Sequence, residues 1–102
     1  LQRTLSPEDL ASHVVTVETN GRYKLNELAD RLAALGYSRC EQVEGVGQFA
    51  LRGGILDVYP VGEPNALRIE FFDDEVDSIR AFDCISQRSI ARVKSIRLSP
   101  AT

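Results

Sequence analysis

The chain has 102 residues, 43% of them hydrophobic and 26% charged, and it carries a net charge of −3, as is ordinary for one small globular domain. This acidic balance argues against a nucleic-acid-binding face, which needs clustered lysines and arginines. No apolar run approaches the roughly 20 residues of a membrane span, and no signal peptide opens the sequence. We therefore expect a cytoplasmic protein, and the start at Leu1 suggests that residues 1–102 are a single domain of a larger multidomain protein.

The first residues predict a short helix followed by a strand. Ser6-Pro7-Glu8-Asp9 combines a capping serine, a proline suited to the first turn and acids that favour the positive end of the helix dipole. This short helix is expected to end near His13, a solitary histidine that we interpret as a surface residue. The β-branched run 14–17 then predicts a strand.

A main helix is predicted over about 25–35, because apolar residues recur there at helical spacing. These residues are Leu25, Leu28, Ala29, Leu32 and Leu35. Asn26 is one candidate for the amino-terminal cap. Gly36 is expected to end the helix, since glycine readily adopts the left-handed conformation that follows a last helical turn.

The residues from 37 onwards predict strands. Residues 37–43 alternate without a cleanly apolar face, which favours a strand at the edge of a sheet. Three runs follow, Phe49–Arg52, Ile55–Pro60 and Leu67–Phe72. Gly53-Gly54 is typical of a two-residue hairpin.

Two more strands complete the prediction. Asp73-Asp74 is expected to turn the chain into a strand over Glu75–Phe82, and Ile90–Leu98 is expected to form the last strand. The sequence therefore predicts an α+β fold. In this fold a small antiparallel β-meander packs with the main helix and the short amino-terminal helix.

The chemistry of the side chains does not indicate an enzyme. No phosphate-binding loop of the form G-x-x-x-x-G-K occurs, and Cys40 and Cys84 match no metal-ligand spacing. The acidic residues around Asp74 are expected to form a solvated turn. We thus expect no catalytic residue, no metal site and no cofactor in this chain.

Arginines on the predicted strands allow two interpretations. In the first, they pair with Asp57, Glu70 and neighbouring acids across an ordinary solvated sheet. In the second, Arg39 and Arg52 lie on neighbouring strands and converge on one exposed patch. Arginine is enriched in binding hot spots because its planar fork pairs with carboxylates through two hydrogen bonds. Periodicity alone leaves both interpretations open.

Four segments of the chain resemble one protein family. They are GYSR at 36–39, GQFALRGGILDVYP at 47–60, RIEFFDDEVDSIRAFD at 68–83 and SQRS at 86–89. In this order they resemble the UvrB-homology domain of the bacterial transcription-repair coupling factors. The similarity extends over about 25–101 and leaves residues 1–20 largely unmatched.

The resemblance implies a protein-binding module that docks onto UvrA, the damage-recognition ATPase of nucleotide excision repair. Its other expected partners are the remaining domains of its parent protein. By position, Arg39 and Arg52 match arginines that the family uses at the UvrA surface, and Phe49 and Glu41 lie in the same matched segments. The chain departs from the UvrB pattern at Val46 and Ala50, where further arginines are common. It also departs at Asp73, where many relatives have glycine.

Two alternatives remain open at this point. The chain could be a structural β module that packs within its parent protein or associates with itself through an exposed edge strand. It could also be a small-molecule or catalytic domain, although no set of side chains converges on such a site. The resemblance favours the UvrA-binding interpretation over both.

Overall fold

The computed structural model describes residues 14–101, and these residues form one helix and eight strands. In chain order the elements are β1 (Val15–Glu18), α1 (Leu25–Ala34), β2 (Ser38–Arg39), β3 (Gln48–Arg52), β4 (Ile55–Val58), β5 (Ala66–Phe72), β6 (Glu75–Phe82), β7 (Ser89–Arg92) and β8 (Ser95–Leu98). The short helix predicted before His13 lies outside the described residues.

The strands form a six-stranded sheet and a two-stranded sheet. The larger sheet has the order β2-β3-β4-β5-β6-β7, and β1 pairs with β8 in the smaller one. Each neighbouring pair from β3 to β7 is antiparallel, whereas β2 runs parallel to β3. The architecture is compatible with the predicted α+β class, but the sheet is mixed and not antiparallel throughout.

The main core lies between one face of the larger sheet, α1 and the two-stranded sheet. Leu56 and Val58 of β4 point into it, as do Leu28 and Leu32 of α1 and Val17 of β1. Strand alternation sends Asp57 to the opposite side of the sheet. A second, smaller cluster of Val43, Ala50, Ala66 and Phe82 covers part of that opposite side.

The main helix is capped two residues before the proposed cap and ends where it was predicted. Its amino-terminal cap is Lys24, in extended conformation and without a side-chain capping bond, so Asn26 was a wrong candidate. Gly36 has a φ of 98°, and the Tyr37 N–H donates to the Leu32 carbonyl at 3.0 Å. This bond closes a Schellman motif, which requires a residue with the conformational freedom of glycine.

The predicted strand over 37–43 is confirmed only for its first part. β2 covers two residues and lies at the edge of the sheet, as expected. The segment cannot continue as a strand because Tyr37 is buried in the main core while Val43 is buried in the second cluster. The chain must therefore cross from one face of the sheet to the other around its edge.

The predicted last strand over Ile90–Leu98 is two strands in two different sheets. β7 pairs with β6, and β8 pairs with β1. Between them the Val93 N–H donates to the Ile79 carbonyl, while the Lys94 carbonyl accepts from the Thr19 N–H. The chain thus changes partners at Val93-Lys94, next to the two consecutive polar residues Lys94 and Ser95 that make its alternation imperfect.

Candidate functional site

A row of five paired residues, four of them charged, crosses the outer face of the six-stranded sheet, the side turned away from α1. Ala50 of β3 is paired with Asp57 of β4, Asp57 with Arg68 of β5, Arg68 with Arg80 of β6, and Arg80 with Arg92 of β7. Because directly paired residues project to the same side, these five side chains form one line. We call Arg68, Arg80 and Arg92 the arginine row.

The stability of the sheet does not account for the arginine row. Directly opposed side chains of like charge destabilise a strand pair, and the row contains two such oppositions, Arg68 with Arg80 and Arg80 with Arg92. A surface that keeps three positive charges side by side is suited to meeting negative charge on another molecule.

Arg68 is the one fixed member of the row. Its Nε and Nη2 donate to the two carboxylate oxygens of Asp57 at 2.8 and 2.9 Å. Its guanidinium lies 4.4 Å from the centre of the Phe82 ring, which adds a cation–π contact. The hydrogen bond to Asp57 raises the pKa of Arg68 above its usual value. Asp57 is only 5% exposed, so this bidentate pair also neutralises a buried carboxylate.

The other arginines of the outer face are freer. Arg80 is half-buried, Arg92 is exposed, and neither forms a salt bridge with a residue in 14–101. Arg52 of β3 is 62% exposed and lies 3.8 Å from Asp57, which is a weak contact in water. With Glu70, the face holds four arginines and two carboxylates. A chain of net charge −3 therefore presents a locally positive surface.

The structure separates the four residues that the sequence had grouped as a site. Arg39 and Glu41 are exposed at the β2 edge, and Arg52 is exposed on the outer face. Arg39 is paired with Phe49, whose side chain enters the main core, so Arg39 and Arg52 leave neighbouring strands on opposite sides. Phe49 is 1% exposed. Its proposed role in a partner contact was therefore wrong, because its ring supports the core and does not reach the surface.

Sequence reasoning left two interpretations open for the strand arginines and did not single out Arg68, Arg80 or Arg92 as a group. Its first interpretation was correct for the Asp57–Arg68 pair. The signal for the row was the position of each arginine within its strand, but only the strand registers bring the three residues together.

A loop of six residues, 83–88, closes one end of the outer face. The Asp83 carboxylate accepts hydrogen bonds from the Ile85 N–H at 2.8 Å and the Ser86 N–H at 3.1 Å. These bonds from Ser86 and Ile85 lower the pKa of Asp83, since they favour the ionised form. Gln87 donates to the Cys84 carbonyl and accepts from Arg68. The loop is thereby joined to the arginine row.

Other parts of the described chain offer weaker sites. An open groove of about 310 Å³ lies between α1 and the segment 22–24, but its Arg22 is already paired with Asp74 and Glu75. Within residues 14–101, no group of three or more His, Cys, Asp or Glu side chains is placed to hold a metal ion. The helix of the described region is too short and too polar to cross a membrane.

A small α+β domain with one face of its sheet closed by the core, and an opposite face carrying arginines that have no carboxylate partner within residues 14–101, has the features of a protein-interaction module. Comparison with known families agrees. Residues 15–102 match the family model described as the UvrB interaction domain, and the chain belongs to this family. The matched model describes an interaction domain, which agrees with the expectation that this chain is not an enzyme.

The chain is also similar over its whole length to transcription-repair-coupling factors. It is 41% identical to that of Bacillus subtilis over 102 residues, 40% identical to that of Haemophilus influenzae over 101 residues and 38% identical to that of Escherichia coli over 101 residues. Each alignment covers 99% of this chain and 9% of the relative. The chain therefore spans about a tenth of the length of these proteins.

Proposed function

We propose that this chain is the domain through which a bacterial transcription-repair coupling factor binds UvrA in the cytoplasm during transcription-coupled nucleotide excision repair. The family match and the identity of about 40% to three such factors support the assignment. The contact with UvrA would serve recruitment, bringing the damage-recognition protein to stalled RNA polymerase. It needs no cofactor bound to this chain.

The observation that carries the proposal is the surplus of arginine on an open face of a rigid sheet. Arg80 and Arg92 have no carboxylate partner within residues 14–101, and Arg52 has only a distant one. Guanidinium groups in this condition are available to pair with carboxylates of a partner through charge-assisted hydrogen bonds. Arg39 and Glu41 at the β2 edge extend the proposed contact, on the strength of their positions in the family pattern.

Titration of this chain against purified UvrA by calorimetry tests the proposal, with Arg52→Ala and Arg80→Ala as variants. We expect saturable binding by the wild-type chain. We expect each variant to weaken it by roughly 1–3 kcal/mol, the cost of truncating an arginine hot spot. Arg52 is exposed and Arg80 is half-buried, so neither truncation should unfold the domain.

Arg97→Ala is the matched control, since Arg97 is an exposed arginine on β8, which belongs to the other sheet. We expect this variant to bind UvrA as the wild type does. A folded wild-type chain that shows no binding to UvrA would contradict the proposal. If all three arginine variants weakened binding equally, the outer face would not be the specific site of the UvrA contact.

A further inference from the structure

Ile85 is the most exposed of the large apolar side chains in residues 14–101. It is 91% exposed, whereas Val46, Val61, Phe72 and Ile90 range from 39% to 75%. Single exposed apolar residues are common on protein surfaces. Exposure alone therefore gives Ile85 no role, and its surroundings must decide.

The loop around Ile85 is built to hold this side chain outward. Asp83 binds the Ile85 and Ser86 N–H groups, and the Gln87 N–H donates to the Asp83 carbonyl at 2.7 Å. The Asp83 N–H in turn donates to the Arg88 carbonyl at 2.9 Å. Gln87 has a φ of 65°, a left-handed conformation that costs a non-glycine residue free energy and persists only when its surroundings impose it. A side chain on such a loop loses little freedom when it binds.

Ile85 stands between two shallow hollows beside the arginine row. One hollow of about 180 Å³ is lined by Tyr59, Pro64, Ala66 and Phe82, and another of about 280 Å³ by Gln42 and Glu44. Ile85 borders both. Gln87, two residues further on, accepts a hydrogen bond from Arg68 at 3.1 Å. The isoleucine is thus an apolar projection continuous with the positive face.

We infer that Ile85 is the apolar anchor of the UvrA contact, entering an apolar pocket on UvrA that is bordered by carboxylates facing the arginine row. The inference rests on the proposed function and adds to it the chemistry of the partner surface. Hot-spot residues act in desolvated pockets surrounded by polar contacts. An exposed isoleucine on a hydrogen-bonded loop, joined to the arginine row through the Arg68–Gln87 hydrogen bond, provides one side of that arrangement.

Calorimetric titration of UvrA with the Ile85→Ala chain, repeated at several salt concentrations, tests the inference. We expect the dissociation constant to rise by at least about tenfold, as for truncation of a hot spot. We expect the same factor at every salt concentration, because the removed atoms carry no charge for ions to screen. Arg80→Ala should instead weaken binding most at low salt. The unfolding temperature of the Ile85→Ala chain should equal that of the wild type, since the side chain packs little in the free domain.

Phe72→Ala is the matched control. Phe72 is also a large exposed apolar residue of the outer face, but it lies at the β5–β6 hairpin, at the other end of β6 from the loop, so its truncation should weaken binding much less than that of Ile85. Affinity of Ile85→Ala within twofold of the wild type would overturn the inference and leave the proposed function standing. Absence of binding by the wild-type chain would overturn the proposed function and the inference with it. Equal losses for Phe72→Ala and Ile85→Ala would also overturn the special role of Ile85.

Discussion

The position of Asp57 decides which arginines of the outer face remain free. Its carboxylate is buried, and it is satisfied by the fork of Arg68 on the neighbouring strand. Strands lie about 4.8 Å apart, so β6 and β7 are roughly 10 and 14 Å from β4. The carboxylate therefore neutralises Arg68 but is out of range of Arg80 and Arg92. Arg80 and Arg92, which have no carboxylate partner within residues 14–101, therefore lie in the half of the outer face next to the β7 edge.

Asp83 should give the loop around Ile85 a dependence on pH. Its pKa is lowered by bonds from the Ser86 and Ile85 N–H groups, so the ionised carboxylate stabilises the loop. That stabilisation is complete above the ordinary aspartate value of 3.8 and is lost as the pH falls through the lowered pKa. In NMR titrations, the amide protons of Ser86 and Ile85 should shift together with a midpoint below 3.8.

The control for this titration is Asp83→Asn, which keeps an oxygen that accepts hydrogen bonds but cannot ionise. In this variant the same two amide protons should show no transition between about pH 2 and 6, the range in which aspartate side chains titrate. A wild-type midpoint at or above the ordinary value would contradict the role given to the Asp83 carboxylate.

At the scale of elements, the β3–β4 hairpin depends on the backbone of Gly53. The register pairs Arg52 with Ile55, which leaves a two-residue turn. Gly53 has a φ of 57°, as the first central position of a type II′ turn requires. A Cβ at Gly53 would meet nothing within 4 Å, so any cost of Gly53→Ala comes from the backbone. We expect this variant to lower the free energy of unfolding by about 1 kcal/mol in urea denaturation.

Gly45→Ala is a control with the opposite expected sign. A Cβ there would also meet nothing within 4 Å, and Gly45 does not have a positive φ. Alanine at this position restricts the unfolded chain without straining the folded one, so the free energy of unfolding should rise by up to about 0.5 kcal/mol. Equal effects of the two substitutions would show that the turn conformation is not what Gly53 provides.

The sequence was sufficient to predict those elements that local signals specify. The apolar spacing of α1 and its terminal Gly36, the glycine hairpin and the strand β6 all appear where they were expected. The path from Tyr37 to Val43 was not predictable from alternation. The two residues are buried in different clusters on opposite faces of the sheet, and periodicity cannot show that a segment passes around an edge.

A β-bulge explains why the arginine row was missed. Phe72 pairs with Glu75 and Phe71 with Val76, but Glu70 pairs with Ser78, so Asp77 is an extra residue in β6. Without it, Arg68 would face Ile79 and not Arg80. A shift of one residue reverses the side of the sheet to which every later side chain points. The resemblance singled out Arg52, which is exposed, for a role in the UvrA contact that stays a prediction, and it carried no information on this register.

For the whole molecule, the open edge at β7 raises the question of self-association. β7 is the last strand of the larger sheet, and all four of its residues are exposed. It is also short and ends in Arg92, and short, charged edge strands discourage pairing with another sheet. We therefore expect light scattering to give a mass near 11.3 kDa at every concentration tested. A mass of about twice that value would favour the alternative of a β module that associates through its edge.

The pairing of β1 with β8 ties both ends of the described chain to the same side of the domain. Val15 is the direct partner of Leu98, and Glu18 that of Ser95. Beyond Leu98 the chain stays on the domain, because the Tyr37 hydroxyl donates to the Ser99 carbonyl and the Ala101 N–H donates to the Leu35 carbonyl at 2.8 Å. A pull on either end of residues 15–101 would therefore load the two-stranded sheet and the carboxyl end of α1 first. Both lie on the side of the larger sheet that faces away from the arginine row, so the outer face would keep its shape under such a pull.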